Sequence, residues 1–152
     1  MLPSVMALFC EDIREEPGSV YTLIGIFPDN VNFVIGDDSA TGTAPNRIVS
    51  RFAIFLRLNF DPKNPPEAGY ISLLDPSGER MRLSEIDEKT IRESAQSAKD
   101  KGNIVAGIIT RVGFAQFPLL NGMFRVELTL GSENYLAGAL NVTIPSQPTV
   151  SG

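Results

Sequence analysis

The chain has 152 residues, 43% of them hydrophobic and 20% charged, with 13 basic against 18 acidic side chains for a formal net charge of −5. A chain of this size buries roughly 70% of its unfolded surface around one core and is short for two domains, and its composition is globular rather than disordered. The acidic balance and scattered Lys and Arg argue against nucleic acid. The absence of His removes Ser-His and Cys-His nucleophiles and the commonest neutral base and metal ligand.

The chain opens on "MLPSVMALFCED", with no basic residue before its apolar run and no small-residue cleavage pattern after it. A conventional secretory signal is therefore not expected, and the expected location is cytoplasmic or virion-associated. Residues 4–10 read as a strand. It ends on Cys10, the single cysteine, which has no intramolecular disulfide partner and reads as a buried structural thiol. The neighbouring carboxylates of Glu11 and Asp12 are expected to raise its pKa.

The stretch "FCEDIREEPGSVYTLIGIF", residues 9–27, sets Glu11, Asp12, Arg14, Glu15 and Glu16 between two apolar runs. Its simplest reading is a solvated turn, with carboxylates at strand ends and "EEPGS" making the reversal into a strand at 19–27. A functional reading is a contact surface for a protein partner made by the same five residues. A third is a calcium-type site, because hard cations take several oxygen ligands, although Ile13 and Arg14 interrupt the ligand spacing. Asp37 and Asp38 in "GDDSATG" raise the calcium question again, more weakly.

Beyond the tight link "PDN", a strand is expected at 31–35, followed by the polar loop "GDDSATGTAPN". The clearest alternation is in "RFAIFLRLNF", where Phe52, Ile54, Leu56, Leu58 and Phe60 share one face. Strands at 69–74 and 79–83 flank "DPSGE", a turn with Pro at a preset φ and Gly78 at a left-handed position. The segment "SEIDEKTIRESAQSAKDKG" breaks the strand pattern and reads as one helix over 84–101. It opens on Ser84, carries Ile86, Ile91, Ala95 and Ala98 on a common face, and closes at Gly102. Its thin apolar stripe places it on the rim of the fold, as a crossover between strands 79–83 and 103–116.

The last strong signal is a β-hairpin over 122–144. "GMFRVELTL" turns Phe124, Val126, Leu128 and Leu130 inward and Met123, Arg125, Glu127 and Thr129 outward. "NYLAGALNVTI" places Leu136, Gly138, Leu140, Val142 and Ile144 on one side, and "GSEN" links the two. Before the hairpin, Phe114, Phe117, Leu120 and Phe124 surround a Pro/Gly turn and are expected mostly in the core, with an exposed apolar contact patch as the alternative. The tail "PSQPTVSG" has no periodicity.

Strands joined by polar Pro/Gly loops, with one helix, indicate a mainly β fold: a single β-sandwich of Ig-like or Greek-key type with about 7–9 strands, over residues 1–145, and a polar tail at 146–152. No apolar stretch approaches the roughly 20 residues that span a bilayer. Neither a G-x-x-x-x-G-K-[ST] nor a G-x-G-x-x-G phosphate cradle occurs. Neither a cofactor nor a nucleotide, nucleic acid or membrane partner is therefore expected. Sugar binding lacks its usual stacking platform, with no Trp and three Tyr.

Together, "ALFCEDIREE", Pro17-Gly18, "LIGIF" and "LNGMFRVELTL" resemble a family of small uncharacterised bacterial and phage proteins. In that family an apolar first strand runs into a Cys-acidic-Asp step, an Arg-Glu pair and a Gly turn, with a Gly-x-aromatic start to a late strand. The resemblance implies a β-sandwich without an assigned activity and supplies no catalytic residues; Phe124 stands where many such sandwiches carry Tyr. The function expected on this basis is a non-enzymatic structural or protein-interaction module, self-associating or docking in a phage particle or other bacterial multiprotein assembly. The alternative is a calcium-type binding protein or a carboxylate-based enzyme using residues 11–16 and 37–38.

Overall fold

The computed structural model describes residues 2–32, 40–41 and 47–144. Asp37, Asp38, the 33–35 end of the third expected strand and the tail at 146–152 lie outside the described residues.

Alternating apolar residues form long strands wherever the period-2 pattern is strong. In chain order the elements are β1 (Ser4–Glu16), β2 (Val20–Ile26), β3 (Asn30–Asn32), β4 (Ala40–Thr41), β5 (Arg47–Val49), β6 (Phe52–Phe60), β7 (Gly69–Leu74), β8 (Arg80–Ile86), α1 (Glu88–Asp100), β9 (Ala106–Phe114), β10 (Phe117–Leu119), β11 (Gly122–Leu130) and β12 (Glu133–Thr143). One main sheet has the order β2-β1-β6-β9 and the other β3-β12-β11-β7-β8; β10, β5 and β4 form a small third sheet. Among the described residues all pairings are antiparallel except that of β3 with β12. The two main sheets are called the β6 sheet and the β11 sheet below, after strands near their centres.

The sheets meet face to face as a β-sandwich around one core. Phe52, Ile54, Leu56, Leu58 and Phe60 of β6 are buried from one side, and Phe124, Val126, Leu128 and Leu130 of β11 from the other. Ala7 and Phe9 of β1 join the first set, and Ile71 and Leu73 of β7 the second. The approach is closest where Gly138 of β12 faces β1: a Cβ there would lie 2.7 Å from the Ala7 carbonyl oxygen. At one end, Phe117 stacks on Phe52 with centroids 4.2 Å apart and tilts against Phe124 at 5.5 Å.

Three sequence expectations change. Residues 84–86 belong to β8, where Ser84 is paired with Ile71, and the helix starts later because Asp87 caps it, accepting the Thr90 N–H at 2.7 Å. Leu136 faces outward, 62% exposed, rather than sharing the inner face with Leu140 and Val142. The cause is a β-bulge: Val126 is opposite Gly138 and Glu127 is opposite Leu136, so Ala137 is an extra residue that flips the pattern. The segment 103–116 is shorter as a strand, Ala106–Phe114, and is followed by the short β10. The helix does connect β8 to β9 along the rim, and it buries Ile91, Ala95 and Ala98.

Candidate functional site

The acidic stretch is not a turn. Residues 11–16 are the second half of β1, paired with β2 from Asp12↔Ile24 to Glu16↔Val20, and the reversal is confined to Pro17–Ser19. A strand sends successive side chains to opposite faces. Asp12, Arg14 and Glu16 therefore share one face while Glu11 and Glu15 lie on the other with Ile13. This separates the carboxylates that a calcium loop would have to gather, and among the described residues no group of three His, Cys, Asp or Glu is placed to hold a metal.

The register shows where this two-stranded arm goes. Pairing of β1 with β6 stops at Cys10↔Ala53, so residues 11–16 run beyond β6. Across the sheet, Leu8 is level with Phe55, and Phe55 with Arg111 of β9. A straight β1 would carry Glu15 about 23 Å past that level, at about 3.3 Å for each of seven residues. Instead, Arg111 Nη2 donates to Glu15 Oε2 at 2.8 Å, the Arg111 guanidinium lies 5.2 Å from the Tyr21 ring centroid, and Tyr21 meets Phe55 edge-on at 6.1 Å. The arm is thus folded back across the outer face of the β6 sheet, from β1 over β6 to β9. Gly25 permits the bend: its φ is +64°, and a Cβ there would sit 2.7 Å from the Glu11 side chain.

At the root of the arm Cys10 is fully buried, with its Sγ 3.7 Å from the Ala53 carbonyl oxygen. Burial, reinforced by the charge of Asp12, pushes its thiol up to about 11. Both features are those of a structural thiol. Of the five residues expected to contact a partner, Glu15 is tied to Arg111, Glu16 accepts from Thr22 Oγ1 at 3.3 Å, Asp12 accepts from the Ile13 N–H at 2.9 Å, and Glu11 and Arg14 are exposed.

The sheet edges differ more than the faces. In β1 the carbonyl of Phe9 accepts from the Phe27 N–H at 2.8 Å, so odd-numbered backbone groups of β1 face β2 and even-numbered ones face β6. Carried through the register, even-numbered residues of β6 and β9 bond to each other. The backbone groups of Gly107, Ile109, Arg111 and Gly113 are left pointing away from the sheet. Ser94 Oγ of α1 confirms this by donating to the Gly107 carbonyl at 3.0 Å. Among the described residues no strand pairs with the outer side of β9 from Ile109 to Gly113. It carries one charged residue, Arg111, and no Pro or Lys. The opposite edge, β2, reads VYTLIGI and has no charge at all.

The β11 sheet protects its edges in the ways native sheets usually do. β8 carries Arg80, Arg82 and Glu85 and is bulged at Leu83, since Ile71 is opposite Ser84 but Ser72 is opposite Arg82. On the far side β3 is three residues long, and the rest of β12 is bulged at Ala137.

The outer face of the β11 sheet holds a polar network that the sequence reading did not identify. Arg80 Nη2 donates to Glu127 Oε2 at 2.9 Å, Asn134 Nδ2 donates to the same oxygen at 3.2 Å, and the Arg82 guanidinium lies 3.7 Å from the Tyr70 ring centroid. Burial raises the Glu127 carboxyl, and the hydrogen bonds from Asn134 and Arg80 outweigh it, holding the group below its usual range. Beneath this layer the Ser72 hydroxyl is fully buried, with no hydrogen-bond partner among the described residues. The outward positions of Arg125 and Glu127 were legible from alternation. Their neighbours were not, because Ser72 and Arg82 come from strands more than 40 residues earlier.

At the end of the sandwich a cleft of about 740 Å3 is lined by Leu73, Met81, Phe114, Phe117, Leu120 and Phe124. Phe117 and Phe124 are core, whereas Phe114 and Leu120 are partly exposed, so the aromatic cluster divides between the two roles expected of it. Among the described residues its charged lining groups are Asp75, Glu79 and Arg80. Asp75 is occupied by its own turn, accepting from Ser77 Oγ at 2.5 Å, and Arg80 by Glu127. No helix among the described residues is long and apolar enough to cross a membrane. No protein-family model matches this chain, and neither a curated protein nor a solved structure matches it.

Proposed function

We propose that the chain is a non-enzymatic interaction module that docks through the edges of its β6 sheet, in a multi-copy setting such as a phage particle or another bacterial assembly. The observation that supports this reading is the contrast between edges. A sheet that ends in long strands nearly free of charge invites strand addition, and native proteins normally shield such edges. Here the β11 sheet has charges, bulges and a short terminal strand, while in the β6 sheet β2 carries no charge and β9 carries Arg111 alone and is paired with β6 along its whole length. The polar clusters point the same way, since Glu127, Asp75 and Glu15 spend their hydrogen bonds within the fold.

Size-exclusion chromatography with light scattering tests the reading, on the purified chain and on the chain recovered from native lysate. A self-associated species or a stoichiometric co-purifying protein is expected. A chain that stays monomeric at every concentration and brings down nothing would sink it.

A further inference from the structure

We propose that the partner at the β9 edge is a second copy of this chain, paired antiparallel through residues 109–113 about a two-fold axis at Arg111. The inference rests on the interaction-module reading above and names its partner.

Three features select this edge and this occupant. β2 is broken as a template by the left-handed backbone at Gly25, whereas β9 is paired with β6 along all nine of its residues and presents a regular ladder. The uncovered part of β9 is also bounded symmetrically. On one side α1 covers Gly107 through Ser94; on the other β9 ends at Phe114. In a pairing centred on Arg111, residue 107 of one copy falls opposite 115 of the other, which is already beyond the strand. Both chains therefore leave the ladder at the same point, and the helix of one copy meets no strand of the other.

The third feature is the fit of side chains and charge. Ile109, 39% exposed, would lie opposite Gly113, beside which a Cβ would meet nothing within 4 Å. The two Arg111 side chains would face each other across the axis, and like charges directly opposite are unfavourable. Each, however, carries its own Glu15 carboxylate at 2.8 Å, which cancels the repulsion. The folded-back arm thus neutralises the charge on the edge that pairs.

The test uses the full chain in sedimentation equilibrium or light scattering. The wild type is expected to dimerise. Ile109→Lys places a charge on the edge, and Ile109→Pro removes an N–H that points outward and has no partner within the sheet. Both are expected to be monomeric with a melting temperature close to that of wild-type monomer, while Leu136→Lys on the far sheet stays dimeric. Glu15→Gln leaves two arginines facing and is expected to weaken the dimer, with recovery at high salt. Arg111→Cys is expected to oxidise to an intermolecular disulfide and Gly113→Cys alone is not, since a hydrogen-bonded antiparallel pair sets residue 111 about 5.5 Å from its symmetry mate, within disulfide reach. Self-association that ignores both Ile109 variants, or cross-linking at 113 rather than 111, overturns this pairing and leaves the interaction-module reading standing. A monomeric wild type that also captures nothing from lysate removes both.

Discussion

The two sheets of this sandwich contribute alike to the core and oppositely to the surface. Inside, β6 and β11 each supply a row of four or five buried apolar side chains, and neither sheet could bury its face without the other. Outside, the β11 sheet is occupied by its own chemistry: Arg80, Glu127 and Asn134 bond one another, Arg82 covers Tyr70, and both edges are charged, bulged or short. The β6 sheet carries its own arm on the outer face, and among the described residues no strand pairs with the outer side of β9.

The strongest test of the shared core compares Leu58→Ala in β6 with Leu128→Ala in β11, both completely buried. Each is expected to cost about 2–5 kcal/mol, and denaturant unfolding should stay a single transition; two separable transitions would mean that the sheets are independent units. Next in size is the contact between sheets. Gly138→Ala pushes a methyl against the Ala7 carbonyl and is expected to cost about 1–3 kcal/mol, while Gly113→Ala on the open edge has room and is expected to be neutral or stabilising by up to about 1 kcal/mol. Equal effects at the two glycines would break the contrast between a crowded interface and a free rim.

Acid should weaken the helix and the β11 side before the β6 side. The Ser77 hydroxyl holds the Asp75 carboxyl low, and the Thr90 N–H does the same for the Asp87 cap. A carboxyl with a folded pKa below its unfolded value contributes stability that is present above the unfolded value, about 4, and is lost as pH falls through the folded one. Melting temperature is therefore expected to drop below about pH 4. Asp75→Asn with Asp87→Asn should lower it at neutral pH and flatten that dependence; an unchanged acid slope would place the sensitive groups elsewhere.

The smallest effect concerns the arm. With its thiol pushed up to about 11 and no exposed surface, Cys10 should resist alkylation at pH 8 in the native state and react at once on unfolding. Labelling of the native chain at the rate of a free thiol would show that the β6 sheet opens locally at the base of the arm.

Much of the architecture was legible in the residues. Strict alternation in 52–60 and 122–130 identified two central strands and their buried faces, and turn chemistry located the links at 75–79 and at "GSEN", 131–134, of which the structure keeps 131–132 as the turn and gives Glu133 and Asn134 to β12. The misread points have local causes. A bulge at Ala137 breaks the alternation that placed Leu136 inside, and Asp87 rather than Ser84 caps the helix because β8 continues its pairing with β7 through Ile86. For the acidic stretch, the charges in "EDIREE" suggested a turn by composition, but their backbone pairs with β2 and the stretch remains strand. A strand at the surface tolerates polar residues on both faces, so composition alone does not distinguish the two.

By itself the sequence determined the fold class, the core-facing residues of the long strands, the rim helix and the burial of Cys10, because each follows from periodicity or from neighbours a few positions away. Only the tertiary structure decided that the arm folds back onto Arg111, that Arg80 meets Glu127 across 47 residues, and that β9 ends a sheet. Those facts depend on strand order and register, which are set by which apolar faces find each other in the folded core, and a linear pattern does not carry that information.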